Sequence, residues 1–242
     1  NEFDTSLKTK RIEGFLAATP IKKRLQFPTL KKDILTGHSI DLKSITQNRK
    51  RRNIVLNGFF QRYEYYKNHK SDIKDWLFSN HTQILGDRDL TISVRSGDIW
   101  QNKNNTTIHP NYCALPFSYY KNIIDSHSWE QIYIVTDNAN DPMVRKLSDK
   151  FSAQVQSKDP VSDFNLIRSS TNIVLPVSTF AWWAAWLSNA QKIFYPKVAV
   201  FDPSVRPDIN LIVDNEDRYE YISLQNTMWK GSEDERKALL FG

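Results

Sequence analysis

The chain has 242 residues and a mass of 28.3 kDa, enough for one large domain or two small ones, and its 40% hydrophobic and 25% charged residues exclude wholesale disorder. The single cysteine, Cys113, excludes an internal disulfide and a multi-thiolate zinc site, and the seven glycines form neither G-x-G-x-x-G nor G-x-x-x-x-G-K-[ST]. The net charge of +6 is uneven: residues 1–70 carry 16 Lys and Arg against 6 Asp and Glu, and the remaining 172 carry 17 against 21.

In chain order, residues 1–50 are poorly periodic, and Thr19-Pro20 and Phe27-Pro28 break any long helix there. The basic clusters Lys22-Lys23-Arg24, Lys31-Lys32 and Arg49-Lys50-Arg51-Arg52 suit an anionic membrane surface, a phosphorylated partner or nucleic acid, or simply a solvated face. No zinc-finger spacing, RRM signature or heptad array accompanies them, which disfavours nucleic acid. Residues 53–57 read as a short strand and 62–78 as an amphipathic helix. From Asp89 onward, β-rich apolar runs at 90–95, 132–136, 172–175 and 193–195 alternate with helical segments at 117–124, 142–151, 162–169 and 179–190. That alternation predicts βαβ units on a parallel sheet covered on both faces. The expected α/β architecture is a Rossmann-like domain over 89–242, preceded by a smaller or incomplete basic unit over 1–88. The densest apolar stretch, 180–187, is too short to span a bilayer, and no apolar leader is found at the N-terminus. The expected location is therefore the cytoplasm, with peripheral contact to a membrane surface open to the basic clusters.

In an open α/β sheet, ligands bind beyond the carboxyl ends of strands, so polar residues there are the first candidates. Ser93 and Arg95 alternate to the face opposite Ile92 and Val94, and Ser96-Gly97-Asp98 then turns the chain. The planar fork of Arg95 suits a bidentate grip on phosphate; the plain alternative is a surface arginine paired with Asp98. Asp137 closes the next strand, where it can read the N–H edge of a purine or cap the following helix. Asp163 lies in Ser162-Asp163, which opens a helix and has the ordinary N-cap as its alternative. Ser178-Thr179-Phe180 leads into the tryptophan-rich helix, where two hydroxyls and free N–H groups make an anion site without glycines, unless Ser178 only caps. Trp182, Trp183 and Trp186 cover more than one helix face and are expected in the core. Asp87-Arg-Asp89 precedes its strand instead of following it, which disfavours a metal-binding D-x-D, and no metal site is expected.

The order of these features resembles the α1,2-fucosyltransferase family. Gly58-Phe-Phe-Gln-Arg-Tyr-Glu-Tyr65 is similar to the family's G-Y-F-Q-S-x-x-Y, and Ser93-Val-Arg-Ser-Gly-Asp98 stands where the family has H-x-R-R-G-D. Tyr119-Tyr120-Lys-Asn-Ile-Ile124 resembles the YY-x-x-A-I helix, and Ile134-Val-Thr-Asp-Asn138 stands for F-S-D-D. The stretch from Asp163 to Leu187, with Ser178-Thr-Phe-Ala-Trp-Trp-Ala-Ala-Trp186, resembles D-x-x-L-M…N-S-[ST]-F-S-W-W-x-A-W-L and is the most specific match.

The resemblance implies a GT-B fold, with a nucleotide-sugar donor held mainly by the C-terminal half and a glycan acceptor. It implies metal-independent, inverting transfer of L-fucose from GDP-L-fucose to a sugar hydroxyl, with no cofactor besides that donor substrate. Arg95 would absorb charge on the β-phosphate, with Asp98 a candidate base by position or a structural turn carboxylate. Ser93, Arg95, Asp137, Asp163, Ser178, Thr179 and Phe180 would line the donor site, Asp163 reading guanine and the hydroxyls of Ser178 and Thr179 touching phosphate. Ser93 and Ser96 replace the family's histidine and second arginine, and the G-G-L-G-N-Q loop is not found in residues 1–50. The same fold with another nucleotide-sugar donor, and a degenerate transferase that binds anionic partners, therefore stay open.

Overall fold

A computed structural model of the protein describes residues 32–37, 40–41, 45, 47, 53–77, 85–95, 113–226 and 231–242. The chain divides into two compact units, Asn1–Phe59 and Phe60–Gly242. In the first, β1 (Lys32–Thr36) and β2 (Asn53–Asn57) pair in parallel, with Lys32 opposite Asn53. The Gly37 N–H donates to Asn57 O at 3.2 Å, and a Cβ at Gly58 would stand 2.0 Å from the Gly37 carbonyl oxygen. Only glycine permits that approach. Strand β2 lies where the sequence places it, whereas β1 falls in the segment that reads as aperiodic. Its five residues, with Lys32 and Asp33 at one end, are too few to establish a period.

The second unit is built on a six-stranded, wholly parallel sheet. Its strands are β3 (Asp89–Val94), β4 (Gln131–Thr136), β5 (Gln154–Val155), β6 (Asn172–Val174), β7 (Lys192–Lys197) and β8 (Tyr219–Ser223). They lie in the order β5-β4-β3-β6-β7-β8. Counted from β3, this is 3-2-1-4-5-6, the order of a doubly wound Rossmann sheet. Among the described residues the helices are α1 (Lys70–Leu77), α2 (Phe117–Asp125), α3 (Pro142–Phe151), α4 (Pro160–Arg168), α5 (Thr179–Trp186) and α6 (Glu233–Phe241). Right-handed crossovers put α2 and α3 on one face and α4 and α5 on the other. In keeping with this, α4 packs on α5, and the C-terminal α6 on α2 and α3. Among the described residues no helix is long and apolar enough to cross a membrane.

Local chemistry explains the element ends. Asp141 and Asp159 cap α3 and α4, each followed by proline at the first helical position, where the missing N–H costs nothing. Helix α4 thus begins at Pro160, two residues before the expected start, because Asp159 and not Ser162 satisfies its free N–H groups. The expected helix over 62–78 is also corrected. Its first part forms two 3-10 turns, Tyr63–Tyr65 and Lys67–His69, and the α-helix begins only at Lys70. The cause is tertiary: Tyr63 N–H donates to Asn210 O at 2.6 Å, and its buried ring meets Trp182 and Trp186 edge-on.

Helix α5 is apolar all round, as a helix inside a core must be. Trp182 and Trp186 are wholly buried and stacked at 5.5 Å, and Trp182 Nε1 donates to Leu211 O at 2.8 Å. The helix ends at Trp186, four residues earlier than its composition suggests. There the Arg218 guanidinium takes the carbonyls of Trp186, Ser188 and Ala190, and its Nε pairs with Glu216 at 2.6 Å. Glu216 also accepts from Lys70 at 2.6 Å.

Candidate functional site

The strand order reverses between β3 and β6, and the connections leaving these strands depart to opposite faces. A crevice must therefore open beyond their carboxyl ends. A cavity of about 350 Å³ lies there. Strand β3 contributes buried Ser93 and, one residue beyond the strand, exposed Arg95. From the end of β4 come Thr136 and Asp137. The segment between β5 and α4 adds Ser157, Lys158 and Pro160, and α4 itself adds Asp163. Ser178 and Phe180, at the start of α5, close the wall.

Six of the expected donor-site residues, Ser93, Arg95, Asp137, Asp163, Ser178 and Phe180, are thus brought to one cavity from four separate connections. Thr179 is half-buried and is not among the lining residues. Asp98, like the Ser96-Gly97 turn before it, lies outside the described residues.

Two alternatives raised by the sequence are resolved by hydrogen bonding. Asp137 does not cap the following helix, since Asp141 does, accepting from Met143 N–H at 2.7 Å. Ser178 is the N-cap residue of α5 by position, yet its side chain makes no capping hydrogen bond. Its hydroxyl and the first N–H groups of α5 are consequently available at the cavity wall, where a helix N-terminus favours an anion.

Asp163 is buried, and its Oδ1 accepts the Lys158 backbone N–H at 3.0 Å. Burial pushes its carboxyl above the usual aspartate range, outweighing the opposing pull of that hydrogen bond. The segment around Lys158 is pinned at two further points. Ser157 Oγ donates to Thr136 O at 2.8 Å, and Asp159 Oδ1 accepts from Val161 and Ser162 N–H, both at 3.0 Å. Ser157 and Lys158 were not singled out in the sequence. The available signal was Ser-Lys-Asp-Pro, in which Asp-Pro marks a helix start and places the preceding pair at the strand edge. Phe180 meets Phe164 edge-on at 5.3 Å, which fixes an aromatic edge of the cavity.

A second cavity, of about 430 Å³, runs along the flank of α4 past Tyr133, Gln156 and Asn165 to Leu85 and Ser169. It shares Lys158 and Asp163 with the first but leads away from the carboxyl ends of the strands. Asp89 of the Asp87-Arg-Asp89 tripeptide opens β3 at its amino end, with its Oδ2 accepting Gly86 N–H at 2.8 Å. Among the described residues no group of three or more His, Cys, Asp or Glu is placed to hold a metal ion.

The sheet is thus doubly wound, with cations, hydroxyls and a helix N-terminus gathered at its switch point, a setting whose chemistry suits an anionic ligand. The model of glycosyl transferase family 11 matches residues 77–205, more than half of the chain and all of this cavity. The chain belongs to that family, the α-1,2-fucosyltransferase family, and is a glycosyltransferase of the fucosyltransferase kind. No curated protein and no solved structure matches it.

Proposed function

We propose that the protein transfers L-fucose from GDP-fucose to a hydroxyl of a glycan acceptor, with inversion and without a metal, on a GT-B scaffold. In this reading residues 89–242 hold the donor and the basic residues 1–88 serve the acceptor side. The observation that carries it is the convergence of Ser93, Arg95, Asp137, Asp163, Ser178 and Phe180 on one cavity at the sheet's switch point.

The chemistry is a single displacement. The acceptor oxygen forms a bond to the anomeric carbon as the bond from that carbon to the β-phosphate oxygen breaks. The acceptor proton passes to a base, for which Asp98 is the candidate by position, and GDP leaves with the bonding electron pair. Negative charge therefore grows on the β-phosphate in the transition state. The guanidinium of Arg95, the Ser178 hydroxyl and the N–H groups opening α5 would take it up, a form of stabilisation that acts most strongly when the donors are already in place. Thr179, adjacent to Ser178, would add a second hydroxyl. Asp163 would accept from the guanine N1–H and amino group.

The deciding experiment is calorimetric titration with GDP, UDP and ADP, followed by incubation with GDP-fucose and free sugars. GDP should bind best, and fucose should be released or transferred. A preference for UDP or ADP would move the protein to another donor. Steeply salt-dependent binding of polyanions without competition by GDP would make it a binding module.

A further inference from the structure

The charge balance of the cavity calls for one more phosphate-binding residue than the sequence suggested. Among the described charged residues lining it, Asp137 and Asp163 are carboxylates, and Arg95 is the one cation from the strand ends. A nucleoside diphosphate would bring further negative charge against both carboxylates. One guanidinium does not balance that array. Lys158 is the remaining cation on the wall, and it comes from the other side of β4, on the segment that joins β5 to α4.

We propose that Lys158 is a phosphate-binding residue of the donor site, holding the diphosphate from the side opposite Arg95; the inference rests on the reading of the cavity as a nucleotide-sugar site. Three features support it. Lys158 is exposed, and among the described residues its ammonium makes no hydrogen bond or ion pair, its charge reaching the Asp163 carboxylate only through space. Its backbone is nevertheless fixed, because its N–H is held by Asp163 Oδ1 at 3.0 Å and its neighbour Ser157 is tied to Thr136 O at 2.8 Å. A tethered backbone with an ammonium that no hydrogen bond or ion pair holds, at a cavity wall, is the arrangement that a point-charge phosphate ligand needs. The tether also runs through the carboxylate assigned to the base, so base recognition and phosphate grip share one hydrogen bond.

The test is calorimetry of the full chain with GDP and with guanosine, at low and moderate salt, for wild type, Lys158→Gln and Lys158→Arg. Lys158→Gln should weaken GDP about tenfold or more while leaving guanosine within about twofold, since only the charge-assisted phosphate contact is lost. It should also flatten the salt dependence of GDP binding. Lys158→Arg should restore most of the affinity. Equal GDP affinity in wild type and Lys158→Gln overturns the role of the lysine and leaves the site reading intact. Failure of the wild type to bind GDP overturns both.

Discussion

Asp163 accepts the backbone N–H of Lys158 at 3.0 Å with only one of its two carboxylate oxygens. A carboxylate has roughly four acceptor positions, so this bond leaves the side chain able to accept from a ligand while its orientation is already fixed. Substituting asparagine separates the two duties. The amide oxygen can still hold Lys158, but the amide nitrogen would set a donor against the donors of guanine. Asp163→Asn should cost on the order of 1–3 kcal/mol of GDP affinity and abolish preference over ADP, with thermal stability little changed. Calorimetry checks the first and a melting curve the second; equal affinity of the unmutated protein for GDP and ADP would refute the assignment.

Ser178 offers a contrast with Asp141, because both occupy N-cap positions and only Asp141 accepts a capping hydrogen bond. Asp141→Ala should destabilise the protein by about 1 kcal/mol, the usual value of a working cap. Ser178→Ala should leave urea stability within a few tenths of a kcal/mol and weaken GDP binding instead. A large stability loss at Ser178 with intact GDP affinity would return that residue to a structural role.

Arg95 should be the residue whose loss most damages transfer. Arg95→Ala should raise the barrier by about 3 kcal/mol, with kcat falling further than donor affinity. Lysine keeps the charge and loses the fork, so Arg95→Lys should also fail badly. Near-normal turnover of Arg95→Ala with GDP-fucose would place the leaving-group chemistry elsewhere.

Chelation provides an independent check. If hydroxyls, N–H groups and cations carry the phosphate charge, GDP affinity and turnover should be unchanged in excess EDTA. Loss of both on chelation, with recovery on adding manganese, would require a metal-dependent mechanism.

A substitution away from the cavity tests how the core is held. Burial pushes the Glu216 carboxyl up, but the Lys70 hydrogen bond and the charge of Arg218 reverse this and hold it below its usual value. Among the described residues Lys70 has Glu216 as its one carboxylate partner, and burial lowers its ammonium. Glu216 binds a proton less readily in the fold than in the unfolded chain. Its stabilisation is therefore complete above the unfolded-state pKa and is lost as pH falls through the folded-state value. Glu216→Gln should destabilise the protein by roughly 2 kcal/mol at neutral pH, because it leaves two half-buried cations with a neutral partner. The wild-type and variant stabilities should converge in acid; urea titrations that stay parallel down to the acid limit would exclude this linkage.

The Rossmann core was legible because strands buried on both faces read as apolar runs, and helices such as α3 declare themselves by Asp-Pro starts. Strand β5 escaped because it has two exposed residues, Gln154 and Val155, and owes its existence to pairing with Tyr133 and Ile134. Strand β8, Tyr-Glu-Tyr-Ile-Ser, alternates as an edge strand does but over too few residues to stand out. Helix α6 has only a weak apolar face and is held partly by Lys146, whose ammonium lies 4.4 Å and 4.0 Å from the ring centres of Phe117 and Phe241. That contact spans distant parts of the chain and leaves no local signature. For the candidate site the positions at strand ends could be read, and the family motifs pointed to residues that the fold gathers at one cavity. Lys158 matches no family motif, and the one local signal for it, the Asp159-Pro160 helix start just after it, marks a strand edge only once the two-residue strand β5 is recognised.

The strand order also has a consequence for how the cavity is assembled during folding. Strands β3, β4 and β5 follow one another in both sequence and space, and can pair as local crossovers. The cavity, however, needs β6 beside β3, with Leu90 opposite Asn172, and this pairing closes the longest excursion between neighbouring strands of the sheet. Joining ends so far apart along the chain is entropically costly and tends to come late. Until it happens, Arg95 and Asp137 have no Ser178 or Phe180 opposite them. On the proposed reading a nucleotide would find its full set of partners only in chains that have completed this crossover, so the recovery of GDP affinity during refolding would time the docking of β6 against β3.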